Sequence, residues 1–294
     1  MSSLKLSTHM ELRKAFGRNP WFWIALAFGV FLAVWTAIVR SELFFSTLEM
    51  ALVDWQRKEV GYSTVGAYAL WMPVRPDDLA PGIFRMVWPI LAAIPYAWSW
   101  SAEMRSGLIE QECVRAGRRV TVASKWIAVF LTGFAIIAVP YTVNLLCNLC
   151  IEPAMPAWIS DGLYAGVLKY APFSSLFYNK PLAFCVLWTF ITGVLGGLWA
   201  TVVAALSMVA GSYLPTLVAS YLSLHIFAFL GEQLQMYFNT YTDSPYSALL
   251  SLDVLSVVSV RANGGSGVAL ALTVLALVVL SIIPPVALRK RDLL

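Results

Sequence analysis

The sequence predicts an all-α integral membrane protein with six transmembrane helices and both termini in the cytoplasm. Three observations carry that reading. Of 294 residues, 60% are hydrophobic and 12% charged, with a mean hydropathy of +0.74, whereas a soluble domain carries about 25% charged residues. Six apolar runs, at about 21–39, 83–100, 126–149, 182–209, 215–231 and 267–288, each approach the roughly 20 residues that a helix needs to cross a bilayer. Most of the 20 Lys and Arg residues fall in three short segments. These hold Lys5, Arg13, Lys14 and Arg18; Arg105, Arg115, Arg118, Arg119 and Lys125; and Arg289, Lys290 and Arg291. By the positive-inside rule all three lie in the cytoplasm. No polar stretch is long enough for a soluble domain, so 1–294 reads as a single transmembrane domain. No cleavable signal peptide is expected, because the first run is long enough to span and no small-residue cleavage site follows it.

Each element has a local reason. The first 20 residues form a short helix on the membrane surface, with a thin apolar stripe of Thr8, Leu12, Ala15 and Phe16. Asn19-Pro20 starts the first span, because Pro suits the first helical position, and Trp21 and Trp23 sit at headgroup level. In the outer segment 40–82, Phe44, Phe45, Leu48, Ala51, Leu52 and Trp55 share one arc, with Glu49, Asp54, Arg57 and Lys58 on the rest. That pattern predicts an amphipathic helix over 42–58 lying on the outer surface. A Pro-rich turn region follows at 72–82. Pro89 and Pro95 lie inside the second span, where each removes a backbone hydrogen bond and can kink the helix. The third span carries Pro140, with Cys147 and Cys150 read as small buried residues. The fourth presents Gly193, Gly196 and Gly197 for close helix packing. The fifth is short. The stretch 246–260 is too short to span comfortably and reads as a re-entrant or interfacial segment before the sixth span.

Several chemistries are missing. The chain has no phosphate-binding G-x-x-x-x-G-K-[ST] loop, and its spans lack the midplane carboxylates of an ion-coupled carrier. Its two histidines, His9 and His225, form no metal cluster, and no catalytic set is evident. A net charge of +4, scattered along the chain, offers nothing to nucleic acid. His225, near the middle of the fifth span, either lines a pathway together with Pro89 and Pro95 or hydrogen-bonds a neighbouring helix.

The segment 101–125 is the exception to this plainness. Read as helix, it puts Trp100, Met104, Gly107, Leu108 and Val114 on one face and most charges elsewhere. It orders Glu103, Gly107, Gly117-Arg118-Arg119 and Lys125 between the second and third spans. That order resembles the cytoplasmic loop of the six-helix ABC exporter permeases, the ABC transporter type 2 permease family. The family usually has Pro in the turn that is Ala116-Gly117 here. The resemblance implies a coupling element of Glu103, Arg105, Gly107, Glu110, Arg118 and Lys125 that docks a separate ABC ATPase subunit. ATP and Mg would be bound by that partner, with no cofactor in this chain and no enzymatic activity of its own. It further implies a second permease subunit, identical or homologous, a location in the bacterial cytoplasmic membrane, and export. The nearly uncharged spans and aromatic outer segments favour a hydrophobic or amphipathic cargo, such as a peptide, drug or lipid. The alternative is a membrane-embedded binding or immunity-type protein that sequesters a peptide or partner without transport. A membrane enzyme is the third class, and no residue set points to it.

Overall fold

The computed structural model describes residues 3–57, 66–157, 167, 171–241, 255, 258–260 and 267–288. Among these the fold is all-helical. The helices are α1 (Ser3–Leu12), α2 (Pro20–Arg57), α3 (Leu79–Ala93), α4 (Trp98–Arg105), α5 (Leu108–Ala116), α6 (Arg118–Ile151), α7 (Ser174–Asn179), α8 (Pro181–Ala210), α9 (Tyr213–Tyr241) and α10 (Gly267–Leu288). Five stretches are long and apolar enough to cross a membrane: Pro20–Ser46, Leu79–Arg105, Arg118–Ile151, Pro181–Ala210 and Tyr213–Leu234. The sixth apolar run is the helix α10, apolar over Leu270–Ile282. By length and composition these helices point to a multi-pass membrane protein.

The bundle is built on α6 and α8, which approach through glycine. A Cβ at Gly133 would meet the Gly196 carbonyl oxygen at 2.6 Å, and one at Gly196 would meet Ile137 Cγ1 at 2.5 Å. Gly193 and Gly197 receive the rings of Phe134 and Phe130. Small residues let backbones touch, which matters in lipid because dispersion contacts, not water exclusion, hold spans together. On the other side α2 packs parallel to α6, with Gly29 against Pro140 and the Ala33 carbonyl accepting from Asn144 Nδ2 at 2.8 Å.

Three expectations are corrected, and one outer segment has a structure the sequence did not predict. The outer surface helix over 42–58 is not separate, because α2 runs unbroken from Pro20 to Arg57. No Gly or Pro lies between Gly29 and Arg57, so helical hydrogen bonding continues past the apolar run. Phe44 is buried and Phe45 exposed, while Lys58 lies outside the described residues. The segment 66–74, part of the stretch read as outside, is buried throughout and packs against the bundle as a short turn ending in a 3-10 helix, Met72–Val74. Its polar groups are matched: Trp71 Nε1 donates to the Tyr141 carbonyl at 3.1 Å, and the Met72 amide donates to Asn144 Oδ1 at 2.8 Å. The fifth helix is not short, since α9 has 29 residues. The cysteines of α6 are not buried: Cys147 is half-buried and Cys150 exposed.

The two prolines of the second span differ. Pro89 sits within a continuous α3, and its carbonyl accepts from Trp199 Nε1 at 2.9 Å. Pro95 falls in the non-helical turn at 94–97 that separates α3 from α4. Its carbonyl there accepts from Trp98 Nε1 at 3.1 Å and from Asn19 Nδ2. A proline cannot continue the helical ladder, and side chains satisfy the carbonyl left over. Of the stretch 246–260, only Leu255 and 258–260 are described. They lie over the bundle: the Val258 carbonyl accepts from Tyr141 Oη at 3.0 Å, and the Val260 amide donates to the Pro73 carbonyl at 2.8 Å.

Candidate functional site

The charged residues of the bundle gather where α1, α4, α5 and α6 meet. Lys125 lies in the second turn of α6, and its side chain is fully buried. Its Nζ is 3.1 Å from Glu11 Oε2 and 3.8 Å from Glu112 Oε2, and it pairs directly with Glu103 Oε2. Lys14 Nζ bridges the same carboxylates from the rim, at 2.9 Å to Glu11, 2.7 Å to Glu112 and 3.7 Å to Glu103. Tyr96 Oη donates to Glu11 Oε2 at 2.7 Å. Three carboxylates and two ammonium groups thus alternate across α1, the π-helical turn Arg13–Gly17 that follows it, α4, α5 and α6. A buried ammonium persists only when its protons are matched in this way. The three carboxylates each offer an oxygen within 4.8 Å of the others, close enough to hold a divalent ion. Lys14 and Lys125 already supply the positive charge that such an ion would bring.

Burial pushes the Glu11 carboxyl up, but Lys125 and hydrogen bonds from Lys14 and Tyr96 outweigh it, leaving the group below its ordinary 4.5. Burial likewise lowers Lys14, and hydrogen bonds to Glu112 and Glu11 carry it above its ordinary 10.5. The depressed Glu11 stabilises the fold at all pH values above its unfolded value and loses that contribution as pH falls through its folded one. The raised Lys14 contributes below 10.5 and loses it only as pH rises beyond. Docking of α1 is therefore expected to be constant from about pH 5 to about pH 10 and to weaken in acid. Hydrogen exchange of the α1 amides against pH checks this.

Two glycines shape the surface around the cluster. Gly107 has φ +69 and Gly117 has φ +85, both in the left-handed region, and nothing lies within 4 Å of a Cβ at either. Their role is conformational freedom and not the close approach of another backbone. They break the segment 101–125 into α4, α5 and the start of α6, so the single face predicted through Trp100, Gly107 and Val114 does not exist. The nine-residue α5 instead pins Ile109 against Trp100 and Met208. It turns Glu110, Gln111, Val114 and Arg115 outward, with Val114 87% exposed. Glu110 in its first turn and Arg115 in its last suit the helix dipole.

The predicted coupling residues are divided between these two features. Glu103 and Lys125 lie in the cluster. Glu110 is on the exposed face of α5. Arg105 and Arg118 are exposed, and Arg105 Nε donates to the Ser101 carbonyl at 3.2 Å. His225, Pro89 and Pro95 are elsewhere. Both prolines are buried. The half-buried His225 packs on Tyr221 at 4.5 Å between ring centroids, with Nδ1 buried and unpartnered. Sequence reasoning missed Glu11, Lys14, Tyr96 and Glu112 as members. One signal was available: Glu11 lies one turn before the buried Ala15, so a carboxylate occupies the arc that packs inward. No family model matches the sequence, and no curated protein or solved structure matches it.

Proposed function

We propose that the chain is the six-span permease subunit of an ABC transporter. The cluster end faces the cytoplasm, and a separate ATPase subunit docks on α5. The observation that carries this reading is the construction of α5: an exposed, charged helix set between two positive-φ glycines, with Glu112 on its inner side paired to Lys14 at 2.7 Å and facing the buried Lys125 at 3.8 Å. A helix held that way passes a push at its outer face to the ends of α4 and α6, because short glycine-containing links join it to both and its Glu112 belongs to the charge cluster around Lys125. The missing phosphate loop fits a permease that borrows its energy from a partner. Two copies, or one copy and a homologue, would then form the pathway. Its cargo is hydrophobic or amphipathic, since the large side chains presented by the spans are apolar or aromatic.

The test is co-purification of the ATPase with the full chain, and ATP hydrolysis in proteoliposomes. Glu110→Lys combined with Val114→Asp alters only exposed side chains. It should reduce ATPase capture at least about tenfold, a change of roughly 1.4 kcal/mol, while the thermal unfolding midpoint stays put. Cysteine at Arg115 should label only from the ATPase side, and cysteine at Met155, beyond the other end of α6, only from the opposite side. If no ATPase accompanies the wild type, or the variant captures it equally well, the sequestering membrane protein becomes the better reading.

A further inference from the structure

At the end of α6 far from Lys125, a second group of buried polar side chains is left without partners. The α2–α6 register explains how it is assembled. Gly29 faces Pro140 and Ala33 faces Asn144, and continuing by one helical turn and then another brings Arg40 alongside Asn148 and Glu152. Asn144 uses both ends of its amide, one on the Ala33 carbonyl and one on the Met72 amide. Asn148, one turn on and fully buried, uses neither Nδ2 nor Oδ1. Glu152 is 4% exposed, and neither carboxylate oxygen has a hydrogen-bond partner. Arg40 reaches past it to pair with Asp78, the residue before α3, and leaves its own Nε buried and unpartnered. Buried polar groups are ordinarily satisfied, and a cluster that is not calls for a physical explanation.

The groups suggest what binds. A buried carboxyl that accepts no hydrogen bond is more at home in such a place when it carries a proton. The guanidinium nearby disfavours a metal cation. Among the described residues, the other charged or titratable groups on the surrounding elements are Glu42 and Glu49 on α2, Arg75, Asp77 and Asp78 before α3, Arg85 on α3, Cys147 and Cys150 on α6, Tyr68 in the buried turn and Lys180 before α8. We propose that Glu152 is a proton-binding site, and that loss of its proton lets the carboxylate compete with Asp78 for Arg40. Burial pushes this carboxyl up to about 7, with Arg40 holding it down in part, so exchange falls in the physiological range. The same element carries a mechanical link. The Ala67 amide of the buried turn donates to the Pro153 carbonyl at 3.1 Å, directly after Glu152. Ionisation that draws Arg40 from Asp78 therefore loosens α2 from the start of α3 beside that turn.

The experiment follows the infrared carbonyl band of protonated carboxyl groups in the purified full chain, in nanodiscs, between pH 5 and pH 9. The wild type should lose one such carboxyl with a midpoint near 7, and Glu152→Gln should lack that transition. Asp78→Asn frees Arg40 for Glu152 and should lower its proton affinity about tenfold, moving the midpoint down by about one unit. No transition in the wild type, the same transition in Glu152→Gln, or an unmoved midpoint in Asp78→Asn would each overturn the proposal. Should the Gln variant fail to fold, the wild type and Asp78→Asn decide the matter between them.

Discussion

Lys125→Met lowers the stability of the purified protein by about 3–5 kcal/mol at neutral pH, the usual cost of removing one partner from a buried ion pair. The ammonium is fully buried, with Glu11 and Glu103 against it. Without it, Lys14 alone must balance three carboxylates from the rim. The protein can relieve the excess by protonating one carboxyl. From an ordinary value near 4.5 that costs about 3.4 kcal/mol at pH 7, which caps the loss from each carboxylate near that figure. The pH dependence then reverses. The wild-type cluster weakens in acid, whereas the Met variant should gain stability as pH falls from 7 towards 5, because the orphaned carboxylates want protons. Adding Glu11→Gln should recover part of the loss, and the double-mutant cycle should give a coupling of at least about 1 kcal/mol. Thermal unfolding of all four proteins at pH 5 and pH 7 is the measurement. An unchanged midpoint in Lys125→Met, or additive single effects, would show that the cluster does not hold this end together.

Gly133→Ala should destabilise the bundle by about 2–3 kcal/mol, the upper range for overpacking, even though Ala is worth up to about 1 kcal/mol more than Gly in a helix interior. The new methyl group would lie 2.6 Å from the Gly196 carbonyl oxygen and 2.8 Å from Ala200 Cβ. Neither is the end of a flexible side chain, so α6 and α8 must separate along their whole contact. Gly193→Ala is the control. Its methyl group would meet first the edge of the Phe134 ring, at 2.7 Å. A ring can swing away where a backbone cannot, so the change there should stay within about 1 kcal/mol, with the gain in helix propensity offsetting the crowding. Equal effects at the two positions would mean that the glycines act through helix propensity and not through contact.

The span pattern was legible because it depends on composition along the chain. A run without charges must leave water, and in lipid it must satisfy its backbone within itself, so it becomes a helix wherever it sits. The glycines of α8 were legible for a similar reason, since a residue with no side chain admits a neighbour from any direction. The sequence also set Glu103 and Lys125 within one segment, without deciding that they pair. It could not show where α2 ends, because helical bonding runs past the last membrane-grade residue when no Gly or Pro stops it. Nor could it show that 66–74 is buried: that depends on Asn144 and Tyr141 of α6 being present to receive its backbone amide and indole groups. The ionic cluster was beyond it for the same reason. Glu11 and Lys125 are 114 positions apart, and a carboxylate on a short surface helix carries no mark of the helix it will meet. Composition and spacing determined which segments leave water and which face of α8 packs closely. Only the tertiary structure decided which charges are buried together, because the cost of burying each one is met by a partner that the local sequence does not contain.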